Sequence, residues 1–276
     1  MTRSDNGKNI CVSWLVGMLV IAGSALGDEP ADISETLSGT KWDIRVGAFY
    51  PRVDTRLRVD GALGLLGTEL DLETLGLDKN EPLPALGVSW QANAKRSLWG
   101  SYFELNRRGF TNTDIEIRVG ETVFPVSTDI SAYFRADVLA LGYGYSFVNT
   151  KDKRLGLRIG LSVQDAAIGI ESLEGQVKEN ADAIAPLPTF GFIAGMRLAD
   201  RWYLSSELGY FAAKIDEYDG SIKQLSVTIE RGFADNWTAN LSYSYLNVDV
   251  ESEGVRWLGY FRYEYYGPSL SVGYKF

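Results

Sequence analysis

The sequence has no histidine and a single cysteine, Cys11, in 276 residues. Without histidine there is no imidazole base, no Ser–His or Cys–His nucleophile pair and no histidine metal ligand. Basic residues are scarce: 27 Lys and Arg face 36 Asp and Glu, a formal net charge of -9. Nucleic-acid binding needs clustered Lys and Arg to neutralise phosphates, so an acidic chain argues against that class. Beyond residue 27 no apolar run reaches the roughly 18 residues of a membrane-spanning helix. The nearest, Ile184 to Met196, is 13 long and broken by Pro186, Pro188 and Thr189. No glycine-rich phosphate loop lies between a strand and a helix.

The first residues read as a secretory signal. Arg3 and Lys8 precede an uncharged run of 17 residues, Ile10 to Leu26. Ala25 and Gly27 then place small residues at the −3 and −1 positions of an expected cleavage site before Asp28. Cys11 lies inside the apolar run, so the mature chain is expected to have no thiol chemistry and no disulfide. Cleavage leaves 249 residues with 25 basic and 35 acidic groups, a net charge of -10. The expected organisation is a signal peptide at 1–27, an N-terminal lead at 28–40 and one all-β domain at 41–276.

Past residue 40 the apolar residues recur with period 2, the signature of strands with one apolar and one small or polar face. Trp42, Ile44, Val46 and Ala48 share one face; Leu139, Leu141, Tyr143 and Tyr145 another; Leu155, Leu157, Ile159 and Leu161 a third. The breaks between strands alternate in length. Four are short, at 93–96, 149–153, 199–201 and 234–236. Those between them are long, at about 51–83, 107–130, 172–183, 215–221 and 250–255. Short turns at one end and long connections at the other are the pattern of an antiparallel up-and-down transmembrane β-barrel. Four short turns join eight strands, and the first and last strands add two. About ten strands result, with eight or twelve as alternatives and extended hairpins on the far side. Thr113 to Val119 and Thr122 to Val126 read as one such hairpin.

Large aromatics gather beside the short turns, as a membrane-interface belt requires. They are Trp42, Trp90, Trp99, Phe147, Trp202, Phe233 and Trp237, with Phe276 closing the chain. The opposite parity is rich in Gly, Ser, Thr and Asn, which cannot build a dry core. A soluble secreted carrier is the rival reading, and the aromatic belt argues against it.

The last strand, with Leu270, Val272, Tyr274 and Phe276 in alternation, resembles the closing strand of bacterial outer-membrane β-barrel proteins. That resemblance implies an outer-membrane location, contact with outer-membrane lipid and lipopolysaccharide, and recognition of the terminal strand by the barrel-assembly machinery. Gly267-Pro268 interrupts the pattern. It reads as a bulge from which 255–265 projects, or as a turn between two short strands.

Inward parity assigns Arg45, Gln91, Tyr102, Glu104, Arg158, Gln164, Arg197, Glu207, Glu230 and Lys275 to the lumen. Four of these are cations and three are anions, a balance suited to ion pairs that plug a narrow barrel. A ten-stranded barrel lies near the size that side chains fill. A path for ions or small solutes is the alternative. The stretch 62–81 interleaves leucines with Glu69, Asp71, Glu73 and Asp78. It reads as the far strand of a hairpin or as an amphipathic segment folded into the mouth, with at most a weak, undefined attraction for Ca²⁺. Enzymes of the outer-membrane barrel class, such as omptin-type proteases and phospholipases, use a histidine that this chain lacks. Asp137 and Asp165, near the outer rim, are the only carboxylate pair to consider for glycoside hydrolysis. The expectation is a barrel without catalysis, cofactor or metal.

Overall fold

The computed structural model describes residues 42–60, 67–77, 82–119, 121–173, 178–215, 218–253 and 258–276. The expected signal peptide and lead lie outside the described residues. The strands are β1 (Trp42–Phe49), β2 (Arg52–Asp60), β3 (Leu70–Asp71), β4 (Leu83–Gln91), β5 (Arg96–Asn112), β6 (Ile117–Val119), β7 (Thr122–Phe124), β8 (Asp129–Asn149), β9 (Lys153–Ser172), β10 (Lys178–Ala199), β11 (Trp202–Ile215), β12 (Tyr218–Gly232), β13 (Trp237–Glu253) and β14 (Leu258–Lys275).

Every neighbouring pair in the wall is antiparallel, and β1 pairs with both β4 and β14, which closes the barrel. β1 and β2 are two halves of one wall strand. Phe49 faces Ser269 and Arg52 faces Tyr266 in the same register against β14. Only Tyr50 and Pro51 separate them, and Pro51 has no N–H to give. The wall therefore has ten strands: β1/β2, β4, β5 and β8 to β14. This is an antiparallel transmembrane β-barrel, closed so that no strand edge meets lipid.

The short turns fall where the sequence places them. The long connections are mostly strand. β8, β9 and β10 run 21, 20 and 22 residues, about twice the 9–11 that cross a bilayer. Strands, not loose loops, carry the barrel beyond the membrane.

Gly267-Pro268 makes neither a bulge nor a turn. β14 keeps an unbroken register through it, against β13 on one side and β1/β2 on the other. A Cβ on Gly267 would meet the Tyr50 carbonyl oxygen at 2.1 Å, so the seam needs glycine there. The Tyr50 N–H donates to the Pro268 carbonyl at 2.9 Å.

Along single strands the apolar face changes sides. On β8, Leu139 and Leu141 are exposed on the outer face. Past Val138 the apolar residues are Phe134, Ala132 and Ile130, which point inward and are buried. β13 switches between exposed Tyr243 and buried Leu246 and Val248, and β14 between exposed Leu270 and buried Tyr265 and Tyr263. Below the switch the outer face meets lipid. Above it the outer face meets water, and the interior becomes a conventional core.

Candidate functional site

The lumen has three layers. At the short-turn end it is ionic. Arg45 on β1 donates to Asp43 at 2.6 Å and reaches across the lumen to Glu230 on β12 at 3.1 Å. Lys275 on β14 also pairs with Glu230. Arg158 on β9 pairs with Glu207 on β11, and its guanidinium lies 4.1 Å from the Trp99 ring centre. Arg154 donates to Ser146 and Ser97, each at 2.9 Å.

The middle layer is small and polar. Ser226 and Thr228 on β12 bond Ser244 and Ser242 on β13 at 3.2 and 2.8 Å. Ser101 is exposed and the Glu207 side chain is 44% exposed, so water-sized space remains here. Glycines line much of the inner face of β8 to β11. Trp99 lies flat on Gly142 and Gly160, where added Cβ atoms would meet its ring at 2.3 and 3.3 Å.

The upper layer is dry. Phe49, Phe103 and Tyr265 form an edge-on trio with centroids 5.4–5.9 Å apart. Phe134, Tyr263 and Phe261 continue it. Leu70, Leu72, Leu75 and Leu77 fill the same core. Their segment stands where β4 stops at Leu83 while β2 and β5 continue. It pairs two residues with β2, and the Leu72 N–H donates to the Thr55 carbonyl. Glu73 then turns inward, accepting the Thr55 N–H at 2.9 Å and Arg107 at 2.8 Å, with both side chains 1% exposed. Burial raises the Glu73 carboxyl above its usual range, against the lowering by Thr55 and Arg107. Burial likewise drives the Tyr263 phenol well up. The hairpin β6–β7 is present as a hairpin, turned onto this core by buried Ile117, Val119 and Phe124.

On the outer wall, above the lipid-facing band, lies a cleft of about 510 Å³ across β12, β13, β14 and β2. Arg56, Arg262, Tyr260 and Glu69 form one side, Asp219, Asp249 and Glu251 the other. Arg262 pairs with Asp249, and that bond raises the guanidinium pKa further. The Tyr260 phenol is raised by burial and then by its hydrogen bond to Glu69.

The residues assigned from sequence divide as follows. Arg45, Arg158, Glu207, Glu230 and Lys275 lie on the inner face, as does Arg197, which faces Asp152 at 3.5 Å. Gln164 is buried within, and Gln91 bonds the turn carbonyls of Asn93 and Arg96. Tyr102 and Glu104 are not in the lumen. Tyr102 stands in register between Leu86 and Leu139 on the outer face, and its hydroxyl bonds Asp137 at 3.1 Å. Trp99 is not in the belt, because the glycine floor opposite gives its indole room inside. Trp42, Trp90, Phe147, Trp202, Phe233, Trp237 and Phe276 are on the outer face, with Trp42 and Trp90 stacked at 5.9 Å. Asp43 and Arg154 are lumen residues that the sequence reading missed. Asp43 shares the parity of Arg45, so the signal was there.

Asp137 and Asp165 are cross-strand neighbours on the outer wall, away from the cleft. In the 62–81 stretch, Glu73 is committed to Arg107, and among the described residues no group of acids could hold a metal ion. The chemistry on view is ion pairing, hydroxyl networks and apolar packing.

No protein-family model matches the chain, and no curated protein matches it. Solved structures do. The outer membrane protease OmpT of Escherichia coli matches with a TM-score of 0.56 at 12% identity, over 88% of this chain and 99% of that one. The translocator domain of the autotransporter NalP of Neisseria meningitidis gives 0.41 at 14% identity, over 87% and 90%. The attachment invasion locus protein Ail of Yersinia pestis gives 0.36 at 14% identity, over 86% and 99%. The first likeness shows the fold, that of an outer-membrane β-barrel.

Proposed function

We propose that the protein is a non-enzymatic barrel of the bacterial outer membrane that works through its closed, surface-exposed half. The signal segment, the aromatic belt and the terminal phenylalanine strand support that location and insertion by the assembly machinery. Lipid and lipopolysaccharide are the expected surroundings. The observation that carries the reading is the dry upper layer: nine of the ten wall strands continue past the membrane, the leucine segment stands in place of β4, and the space within is filled with leucine, phenylalanine and tyrosine. A pore gains nothing from such a core, whereas a rigid platform does. The platform presents the charged cleft and exposed Phe110, Ile115, Val126 and Leu173 at its upper edge. Lack of histidine separates the chain from the histidine-dependent chemistry of barrel enzymes.

The alternative is a narrow channel, which the hydroxyl-lined middle layer favours. Planar-bilayer recording of the refolded protein decides between them. A folded, heat-modifiable protein that stays silent is expected. A steady current that scales with salt would replace the platform with the channel.

A further inference from the structure

The two ends of the barrel differ in charge. At the short-turn end, exposed cations occupy the turns and their flanks: Lys95 and Arg96 between β4 and β5, Lys151 and Lys153 between β8 and β9, Arg201 between β10 and β11, and Arg231 near the end of β12. Among the described residues no ion pair engages these six side chains. The acids among them are Asp152, Asp200 and Asp235, and Asp152 already faces Arg197.

The cations sit beside the aromatic belt. Arg231 lies over the Trp202 ring at 5.1 Å. The turns are too short to lift the others away: three residues of strand rise only about 10 Å. The boundary at the far end is built differently. Glu104, Asp137 and Asp165 stand side by side on β5, β8 and β9, and Asp54 faces Glu264 across β2 and β14. Arg52, Arg135 and Lys223 are the nearby cations, fewer than the five acids.

We infer that the short-turn rim is a binding surface for anionic phospholipid headgroups, phosphatidylglycerol or cardiolipin, in the leaflet it touches. Resting on the outer-membrane reading above, this assigns the rim to the periplasmic leaflet. The aromatic rings fix the depth of the barrel at the headgroups. The cations are then held within a Debye length, roughly 8 Å, of the phosphates, where they attract an anionic surface. The lumen cations Arg45, Arg158, Arg197 and Lys275 are paired with Asp43, Asp152, Glu207 and Glu230 and do not take part. Arg154 is turned inward onto Ser97 and Ser146.

The test is native mass spectrometry of the refolded full barrel released from vesicles of phosphatidylcholine mixed with phosphatidylglycerol. Heat-modifiable gel mobility comes first; failure there overturns the membrane-barrel reading and not the lipid assignment. For a folded barrel, the ratio of retained phosphatidylglycerol to phosphatidylcholine should exceed that of the vesicle by roughly tenfold. The excess should shrink as salt rises, since exposed charges are screened. The combined variant Lys95→Ser, Arg96→Ser, Lys151→Ser, Lys153→Ser, Arg201→Asn and Arg231→Ser should bind both lipids alike while still folding. Asn is chosen because residue 201 has φ 60°, which asparagine tolerates. A charge-keeping variant, Lys95→Arg with Lys151→Arg and Lys153→Arg, should retain the excess. Equal retention of both lipids by the unaltered barrel overturns the assignment. So does an excess that survives the neutralised rim, which would place the lipid elsewhere.

Discussion

Arg107 and Glu73 meet inside an apolar core, so neither charge has water to fall back on. Removing one partner of such a pair strands the other, at a cost of about 3–5 kcal/mol. Arg107→Ala should lower unfolding stability by that amount in detergent, read by denaturant titration. Arg107→Met with Glu73→Leu should recover most of it, because a well-packed apolar pair replaces the ions. The Glu73 proton adds a pH dependence. With its pKa raised by burial, the folded protein holds this proton where the unfolded chain, near 4.5, has released it. That contribution is fully present below 4.5 and is lost as pH rises through the folded value. Glu73→Gln should remove this acid-side slope, and an unchanged slope would assign it to another carboxyl. Trp99 makes the complementary point about size. Gly142→Val would drive a branched side chain into its ring and should cost about 1–3 kcal/mol through overpacking, with a shift in tryptophan emission.

At the scale of elements, alternation made the ten strands and four short turns legible, because lipid on one side and polar groups on the other impose period 2. The depth of the membrane was legible too, in a feature easily passed over. The apolar parity slips by one at Val138-Leu139 and again near Tyr245-Leu246, while the strand continues. Each slip marks where the outer face stops meeting lipid. Reading Tyr102 and Glu104 as lumen residues came from losing that phase on β5, where Leu98 and Tyr102 share the outer face and Leu105 and Arg107 the inner. The leucine segment at 70–77 was legible as a hairpin strand or an amphipathic piece folded into the mouth, and it proves to be both; what no local pattern reveals is that its place depends on β4 ending at Leu83, a fact about the neighbouring wall. Gly267-Pro268 misled for a similar reason: Pro51 and Pro268 lie next to each other across one seam, which no local pattern reveals. Gly267→Val should therefore block closure of β14 on β1/β2, seen as loss of the heat-modifiable folded band. Normal folding of that variant would mean the seam can give by more than an ångström.

For the whole molecule, the question is how many closures stand between its two faces. The ionic layer of Arg45, Glu230 and Lys275 and the aromatic layer of Phe49, Phe103 and Tyr265 lie in series, with the hydroxyl-lined space between them. Barriers in series are governed by the larger, so opening one leaves the other to block current. Arg45→Ser, Glu230→Ser and Lys275→Ser together should leave the bilayer silent. Phe49→Ser with Phe103→Ser should also stay silent, provided the barrel still shows its folded mobility. Only the combination should conduct, and weakly, because the space between is narrow and lined by serine and threonine beside the Arg158–Glu207 pair. Glu104→Gln should change nothing, since that side chain faces outward. Current from the ionic variant alone would show that the aromatic layer does not seal, and would move the balance from a closed surface platform toward a gated channel.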